Sequence, residues 1–155
     1  MSIAALVDVN FDLLSVGVSV AGILLLGCIV FFNNPRSITN RTFFFFAIFT
    51  AIWGLSNYLE YRFTTIFATL WAERFHLFLS TWHALLFFHL AYVFPKDTVR
   101  FPRWYAYLLV PVVASTAILA LTPYVFSGIT ALAPPGEVTN PERGPGVVLF
   151  SVVAF

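Results

Sequence analysis

The sequence predicts an all-α fold, a polytopic helical bundle in a membrane with four complete transmembrane helices and the start of a fifth. Hydrophobic residues make up 60% of the chain, charged residues make up 10%, and the mean hydropathy is +0.90. A soluble domain has roughly 45–50% apolar and about 25% charged residues. Apolar runs of about 20 residues, the length that crosses a bilayer, recur along the chain between polar segments. We therefore treat residues 1–155 as one transmembrane module.

The first apolar run, at about 13–32, is LLSVGVSVAGILLLGCIVFF, and the turn-forming segment NNPRS ends it. It is not typical of a signal peptide, because no Lys or Arg precedes it and no small-residue cleavage site lies before Asn33. We therefore expect a retained first helix. The single cysteine, Cys28, lies inside this run, where a small packing residue is the plain interpretation.

Further helices are expected at about 42–62, 66–94, 104–126 and 147–155, with a polar outer loop at 127–146. Pro111 is expected to kink the fourth helix, and Pro123 is expected to end or bend it. The fifth helix has only nine residues, about 13 Å at 1.5 Å per residue, which is less than half of a bilayer. The expectation is an incomplete module, whose missing part supplies further helices and an output domain.

The distribution of basic residues predicts the orientation of the helices. Five of the eight basic residues fall in the two connections that share one side: Arg36, Arg41, Lys96, Arg100 and Arg103. The segments on the other side carry most of the acids: Asp8, Asp12, Glu137 and Glu142. We therefore expect an external N-terminus and a cytoplasmic location for 33–41 and 95–103.

Ionisable residues cluster where the second helix ends and the third begins. Residues 75–94 alone span about 30 Å, so Glu73 and Arg74 are expected in the outer interface, at the level of Glu60 and Arg62. One interpretation is a set of interfacial charges that partly pair, for example Glu60 with Arg74. The other is an ion-paired clamp that lines an outward-facing ligand cavity, because charges near membrane depth usually face protein or water.

The histidines of the third helix allow similar alternatives. His76 and His83 are seven residues apart, so they lie within about 20° of each other on one face, whereas His89 is about 120° away from His83. A metal site is disfavoured, because histidines that share a metal usually lie one turn apart. For His83 we expect a neutral imidazole that hydrogen-bonds a neighbouring helix, with proton sensing or ligand contact as the alternative.

The resulting candidate ligand-binding residues all lie in the outer half of the bundle: Glu60, Arg62, Glu73, Arg74, His76 and His83. No nucleotide-binding loop, catalytic serine elbow, zinc-protease motif or paired-carboxylate motif occurs, so we expect no enzymatic activity, no metal and no cofactor.

The order of the segments is similar to that of a known family. The segments are NPRSITNRTFFFFAIFTAIWGLSNYLE, LWAERFHLFLSTWHALLFFHLAYVFP and ERGPGVVLFSVVAF, over about 13–155. They resemble the N-terminal seven-helix region of bacterial histidine kinases and related signalling proteins. The features that carry the resemblance are Asn34-Pro35, Asn40-Arg41, Trp53, Leu70-Trp71 with Arg74, Phe87-Phe88-His89, Phe94-Pro95 and Gly144-Pro145-Gly146.

The resemblance implies a sensory module in the bacterial cytoplasmic membrane that signals to an attached output domain, often a kinase or a cyclic-dinucleotide enzyme. The expected partners are the lipid bilayer, an unidentified small ligand or membrane component and, as an open option, a second copy in a homodimer. A net charge of +1 gives no indication that the chain binds nucleic acid.

Other classes of membrane protein are alternatives. A small membrane scaffold would need none of the ionisable residues. A secondary transporter, or a fragment of one, would need an internal repeat with paired broken helices, and only the fourth helix contains a central proline. An intramembrane enzyme is the least favoured class, because paired acids and a coherent metal-ligand set are lacking.

Overall fold

The computed structural model describes residues 11–60, 62–96, 98–132 and 139–154. Within these ranges the regular structure is helical apart from one short hairpin, and turns and loops connect the elements. The elements are α1 (Phe11–Asn33), α2 (Ile38–Glu60), α3 (Ile66–Val93), a π-helical turn (Tyr105–Leu109), α4 (Val110–Ala120), β1 (Phe126–Gly128), β2 (Glu142–Arg143) and α5 (Gly146–Ala154). Consecutive long helices pack on each other, and α5 packs on both α3 and α4. Asp8 and Glu137, used above for the orientation, lie outside the described residues.

Three helices, α1, α2 and α3, are long and apolar enough to cross a membrane. With 28 residues, α3 is about 42 Å long at 1.5 Å per residue, which exceeds the roughly 30 Å of hydrocarbon. The predicted helical fold is thereby confirmed, and three of its helices have the length and apolar composition that a membrane span requires.

The fourth helix is shorter than the predicted span of 104–126. The π-helical turn and α4 together cover Tyr105–Ala120, about 24 Å of helix, so a fourth complete span is not shown. The helix ends in a turn in which the Thr122 hydroxyl donates to the Leu119 carbonyl at 2.7 Å. Pro123 follows directly and cannot continue a helix. At the other end the π-helical turn ends at Leu109, two residues before Pro111, where a kink was expected.

The ends of α2 and α3 follow from local hydrogen bonds. The Ser37 carbonyl accepts from the Arg41 N–H at 3.2 Å, so α2 begins at Ile38 rather than at the predicted 42. At the start of α3 the Thr65 side chain accepts from the Ala68 N–H and caps the first turn. At its other end α3 stops at Val93, because Phe94 precedes a proline and is extended (φ −70°, ψ 136°).

The predicted outer loop, 127–146, contains regular structure. Phe126 of β1 pairs with Arg143 of β2 in an antiparallel hairpin. The Gly144 N–H then donates to the Val125 carbonyl at 2.7 Å. A Cβ atom at Gly144 would lie 2.2 Å from the Tyr124 carbonyl oxygen, so only glycine permits this approach. The Gly-Pro-Gly sequence therefore attaches the hairpin to the start of α5.

A close helix contact yields a test of the packing of α1 on α2. A Cβ atom at Gly27 would lie 2.7 Å from the Cβ of Ala47, which is fully buried. We predict that Gly27→Ala lowers the free energy of unfolding by about 1–3 kcal/mol, because the two helices must move apart. Gly22→Ala in the same helix is the control, since nothing lies within 4 Å of the added methyl group. Unfolding in mixed micelles measures both variants, and an equal effect of the two would contradict this contact.

Candidate functional site

Polar side chains of α2 and α3 meet at regular intervals along the interface between the two helices. Thr50 Oγ1 lies 2.9 Å from His83 Nε2, and Ser56 Oγ lies 3.2 Å from His76 Nδ1. Between them, Trp53 Nε1 donates to Ser80 Oγ at 2.8 Å. We call these three pairs the α2–α3 polar ladder; its members are Thr50, Trp53, Ser56, His76, Ser80 and His83.

The sequence spacing explains why the pairs align. The α2 members follow each other at steps of three residues, and the α3 members follow at steps of four and three. Residues three or four apart share one face of an α-helix, so each helix presents one polar stripe. Because the helices run in opposite directions, each step forward along α2 matches a step backward along α3. The polar ladder therefore holds the register of the two helices.

The His83 imidazole lies between two aromatic rings and donates one hydrogen bond. The Thr50 hydroxyl gives its only proton to the Phe46 carbonyl at 2.8 Å, so it accepts from His83 Nε2–H. The Phe46 ring stacks on the imidazole with centroids 4.9 Å apart, and the Trp53 ring stacks on it at 5.3 Å. The hydrogen bond to a neighbouring helix that the sequence predicts for His83 is present.

The hydrogen-bond partners also assign the tautomer of a neutral His76. The Ser56 hydroxyl donates to the Trp53 carbonyl at 2.7 Å, so it accepts from His76 Nδ1–H. The ring nitrogen Nε2 of His76 is then an acceptor. The Ser80 hydroxyl accepts from Trp53 and donates to the His76 carbonyl at 2.9 Å. Every hydroxyl of the polar ladder thus donates to a carbonyl of its own helix.

Two carboxyl groups meet beyond the last pair of the polar ladder. Glu60, the final residue of α2, is half-buried and lies within hydrogen-bonding reach of Glu73. Glu73 is only 8% exposed, and its Oε1 atom is buried without a hydrogen-bond partner. Glu60 also lies close enough to the His76 ring to interact electrostatically. We call Glu60, Glu73 and His76 the carboxyl cluster.

The arginines that were expected in the same layer lie elsewhere. Arg74 is only 6% exposed. Its Nη2 atom donates to the Phe126 carbonyl of β1 at 2.7 Å. Its guanidinium carbon lies 5.5 Å from the centroid of the Trp71 ring. Arg62 is exposed and donates to the Tyr58 hydroxyl. Neither arginine forms an ion pair with a carboxylate among the residues that the structure describes, so the expected pairing of Glu60 with Arg74 is replaced by the contact of Glu60 with Glu73.

Sequence reasoning missed several residues of this interface. It singled out His76 and His83 but not their partners, although the steps of three between Thr50, Trp53 and Ser56 in an apolar helix were a usable signal. It also assigned no partner to His89, whose Nδ1 atom hydrogen-bonds the hydroxyl of Tyr105, a buried residue of the π-helical turn. No local pattern indicates this contact, because it depends on how the fourth helix returns to α3.

Among the described residues, no group of three or more His, Cys, Asp or Glu side chains is placed to hold a metal ion. No family model, curated protein or solved structure matches the chain.

The central pair of the polar ladder can be tested by a double-mutant cycle on Trp53 and Ser80. We predict that Trp53→Phe and Ser80→Ala each lower the free energy of unfolding by about 0.6–2 kcal/mol, the usual range for hydrogen bonds between membrane helices. The double variant is expected to lose less than the sum of the two, because either substitution alone removes the bond.

Ser19→Ala serves as the matched control, because the exposed Ser19 hydroxyl bonds only within its own helix. Combined with Trp53→Phe it should be additive. Unfolding in mixed micelles measures all variants, and additivity of Trp53→Phe with Ser80→Ala would show that their hydrogen bond contributes nothing to stability.

Proposed function

We propose that this chain is the membrane-embedded signal-input module of a bacterial signal-transduction protein. The observation that carries the proposal is the buried Oε1 atom of Glu73, which has no hydrogen-bond partner in the interface of two apolar helices. An ionisable group inside a membrane bundle is costly, and such groups mark binding sites or relays far more often than packing. The carboxyl cluster is accordingly the site where the module receives its signal.

The polar ladder supports this role because it joins the carboxyl cluster to the opposite end of the same helix pair. At that opposite end the Thr39 hydroxyl is 3.2 Å from the Val93 carbonyl and 2.6 Å from the Lys96 carbonyl, so the start of α2 is tied to the end of α3. A change in the separation of Glu60 and Glu73 therefore acts on a helix pair that is linked along its length. In this proposal the helix pair moves as a unit and passes the change to an output domain.

A small membrane scaffold is the second candidate. The observation in its favour is that all three pairs of the polar ladder are satisfied without a ligand, which is what a purely structural hairpin requires. The carboxyl cluster distinguishes the two candidates, because burying the Glu73 carboxyl against a second carboxyl costs stability, and a scaffold has no use for that cost.

The gene around the segment that encodes this chain provides the test of the class. A signal-input module is expected to have a cytoplasmic kinase or cyclic-dinucleotide enzyme in the same reading frame or in a neighbouring gene. A second membrane half related to this one by an internal repeat would instead favour a transporter. If both features are absent and the gene product is stable by itself, the result favours the scaffold and contradicts our proposal.

The proposed location is the bacterial cytoplasmic membrane with the carboxyl cluster on the outer side, as the distribution of basic residues predicts. We predict that, in a Cys28→Ala background, a cysteine introduced by Asn140→Cys reacts with a membrane-impermeant maleimide in intact cells. Thr98→Cys should react only after lysis. Both positions are exposed, so the side of the membrane decides their reactivity. Labelling of Thr98→Cys in intact cells, with Asn140→Cys protected until lysis, would show that the topology is the reverse of the proposed one.

A further inference from the structure

Five basic side chains are exposed at the end of the helix pair that lies opposite the carboxyl cluster. They belong to the segments 33–41 and 95–103, which contain one acid, Asp97, outside the described residues. The Thr39 hydroxyl joins the two segments, because it hydrogen-bonds the Lys96 carbonyl at 2.6 Å. We call this positively charged region the basic surface; its cations are Arg36, Arg41, Lys96, Arg100 and Arg103.

Arg41 is the cation that the structure fixes in place. Its Nε–H donates to the Pro35 carbonyl at 2.6 Å, which holds the guanidinium beside the turn that contains Arg36. The Asn40 side chain donates to the Asn34 carbonyl at 3.2 Å and stabilises the same turn. Among the described residues, no acceptor engages the two terminal nitrogens of Arg41, so they are available to two oxygens of a phosphate group.

Arg41 lies at the depth of the phosphate groups of a bilayer. It is the fourth residue of α2, about 4.5 Å along the helix axis from Ile38. With 23 residues, α2 is about 34 Å long, whereas the hydrocarbon is about 30 Å thick and is flanked on each side by a polar headgroup layer. The first turn of α2 therefore reaches the headgroup layer.

Below Arg41, the same face of α2 is apolar and exposed. At 100° per residue, Phe45 and Ile52 lie about 40° and 20° from Arg41 around the helix axis. Phe45 is 54% exposed and Ile52 is 40% exposed. They lie about 6 Å and about 16 Å deeper than Arg41, which is the depth of the acyl chains of one leaflet. A free phosphate or a nucleic acid would use the cation alone, whereas a phospholipid would use the cation and this apolar face.

We propose that the basic surface binds an anionic phospholipid at Arg36 and Arg41. The lipid phosphate accepts from both guanidinium groups, and one acyl chain lies along Phe45 and Ile52. An anionic lipid is selected because a choline headgroup would bring a second positive charge close to the same arginines. This inference goes beyond the proposed function and does not depend on it, since the site lies at the other end of the helix pair from the carboxyl cluster.

The test uses the whole chain in detergent micelles and measures lipid binding by native mass spectrometry. The two lipids are phosphatidylglycerol and phosphatidylcholine with identical acyl chains. We expect phosphatidylglycerol to bind about fivefold or more tightly than phosphatidylcholine, and Arg41→Gln should lower this preference about fivefold, because it removes one cation at the headgroup. Equal binding of the two lipids by the wild type would overturn the proposal.

Arg143→Gln is the matched control, because Arg143 is exposed in β2 and its substitution removes the same charge outside the basic surface. It should leave the preference unchanged; an equal loss would show that the net charge of the chain selects the lipid and would reject the site. Arg36→Gln gives a second measurement if Arg41→Gln does not fold, which circular dichroism will show. A preference that neither variant of the basic surface lowers also rejects the site.

A second arm adds glycerol phosphate, which carries the phosphate group without acyl chains. It should not displace phosphatidylglycerol at an equal concentration, because it makes no contact with the apolar face of α2. Displacement at that concentration would show a site for free phosphates and reject the lipid. The gene context tests signal input separately, and neither of its outcomes changes the expected preference for phosphatidylglycerol.

Discussion

Satisfaction of polar groups inside an apolar bundle is the constraint on which the arrangement of α2 and α3 depends. Lipid offers no hydrogen bonds, so the hydroxyls, imidazoles and indole of the polar ladder are stabilised by partners within the protein. The hydroxyls of Thr50, Ser56 and Ser80 each donate to a carbonyl of their own helix and accept from a side chain of the other. This pattern determines which nitrogen of a neutral His76 and of His83 carries the proton. A slip of one helix against the other would break all three pairs at once.

The helices themselves were largely predictable, because runs of apolar residues long enough for a bilayer are an unambiguous signal. The exception is the fourth helix. Its apolar residues continue to Phe126, but Thr122 and Pro123 turn the chain, and Phe126 enters a hairpin with a residue that is 17 positions away. Composition cannot distinguish an apolar residue that faces lipid from one that pairs in a short strand. The start of α2 was missed for a related reason, since its first turn is polar.

The candidate site was predictable as a region but not as a set of contacts. Sequence reasoning placed Glu60, Glu73 and Arg74 in one layer and expected opposite charges to pair there. In the structure, neighbouring residues of α3 lie on different sides of the helix, because consecutive side chains are about 100° apart around the helix axis. Glu73 faces α2, whereas Arg74 donates to the Phe126 carbonyl and joins α3 to the outer hairpin. The strand carbonyl satisfies the guanidinium and leaves the carboxyl cluster without a cation from Arg74.

The direction of the hydrogen bonds also bears on the choice between the proposed signal input and proton transport. A proton relay needs groups that can both accept a proton and pass it on to the next group. In the polar ladder the donated protons of Thr50, Ser56 and Ser80 all end on backbone carbonyls, which do not pass them on. The two histidines are therefore not joined through these hydroxyls, and His83 stacks between Phe46 and Trp53. The polar ladder thus fixes the position of α2 against α3 through pairs whose hydroxyl protons do not run from one histidine to the other, and this arrangement agrees better with the proposed input module than with a proton carrier.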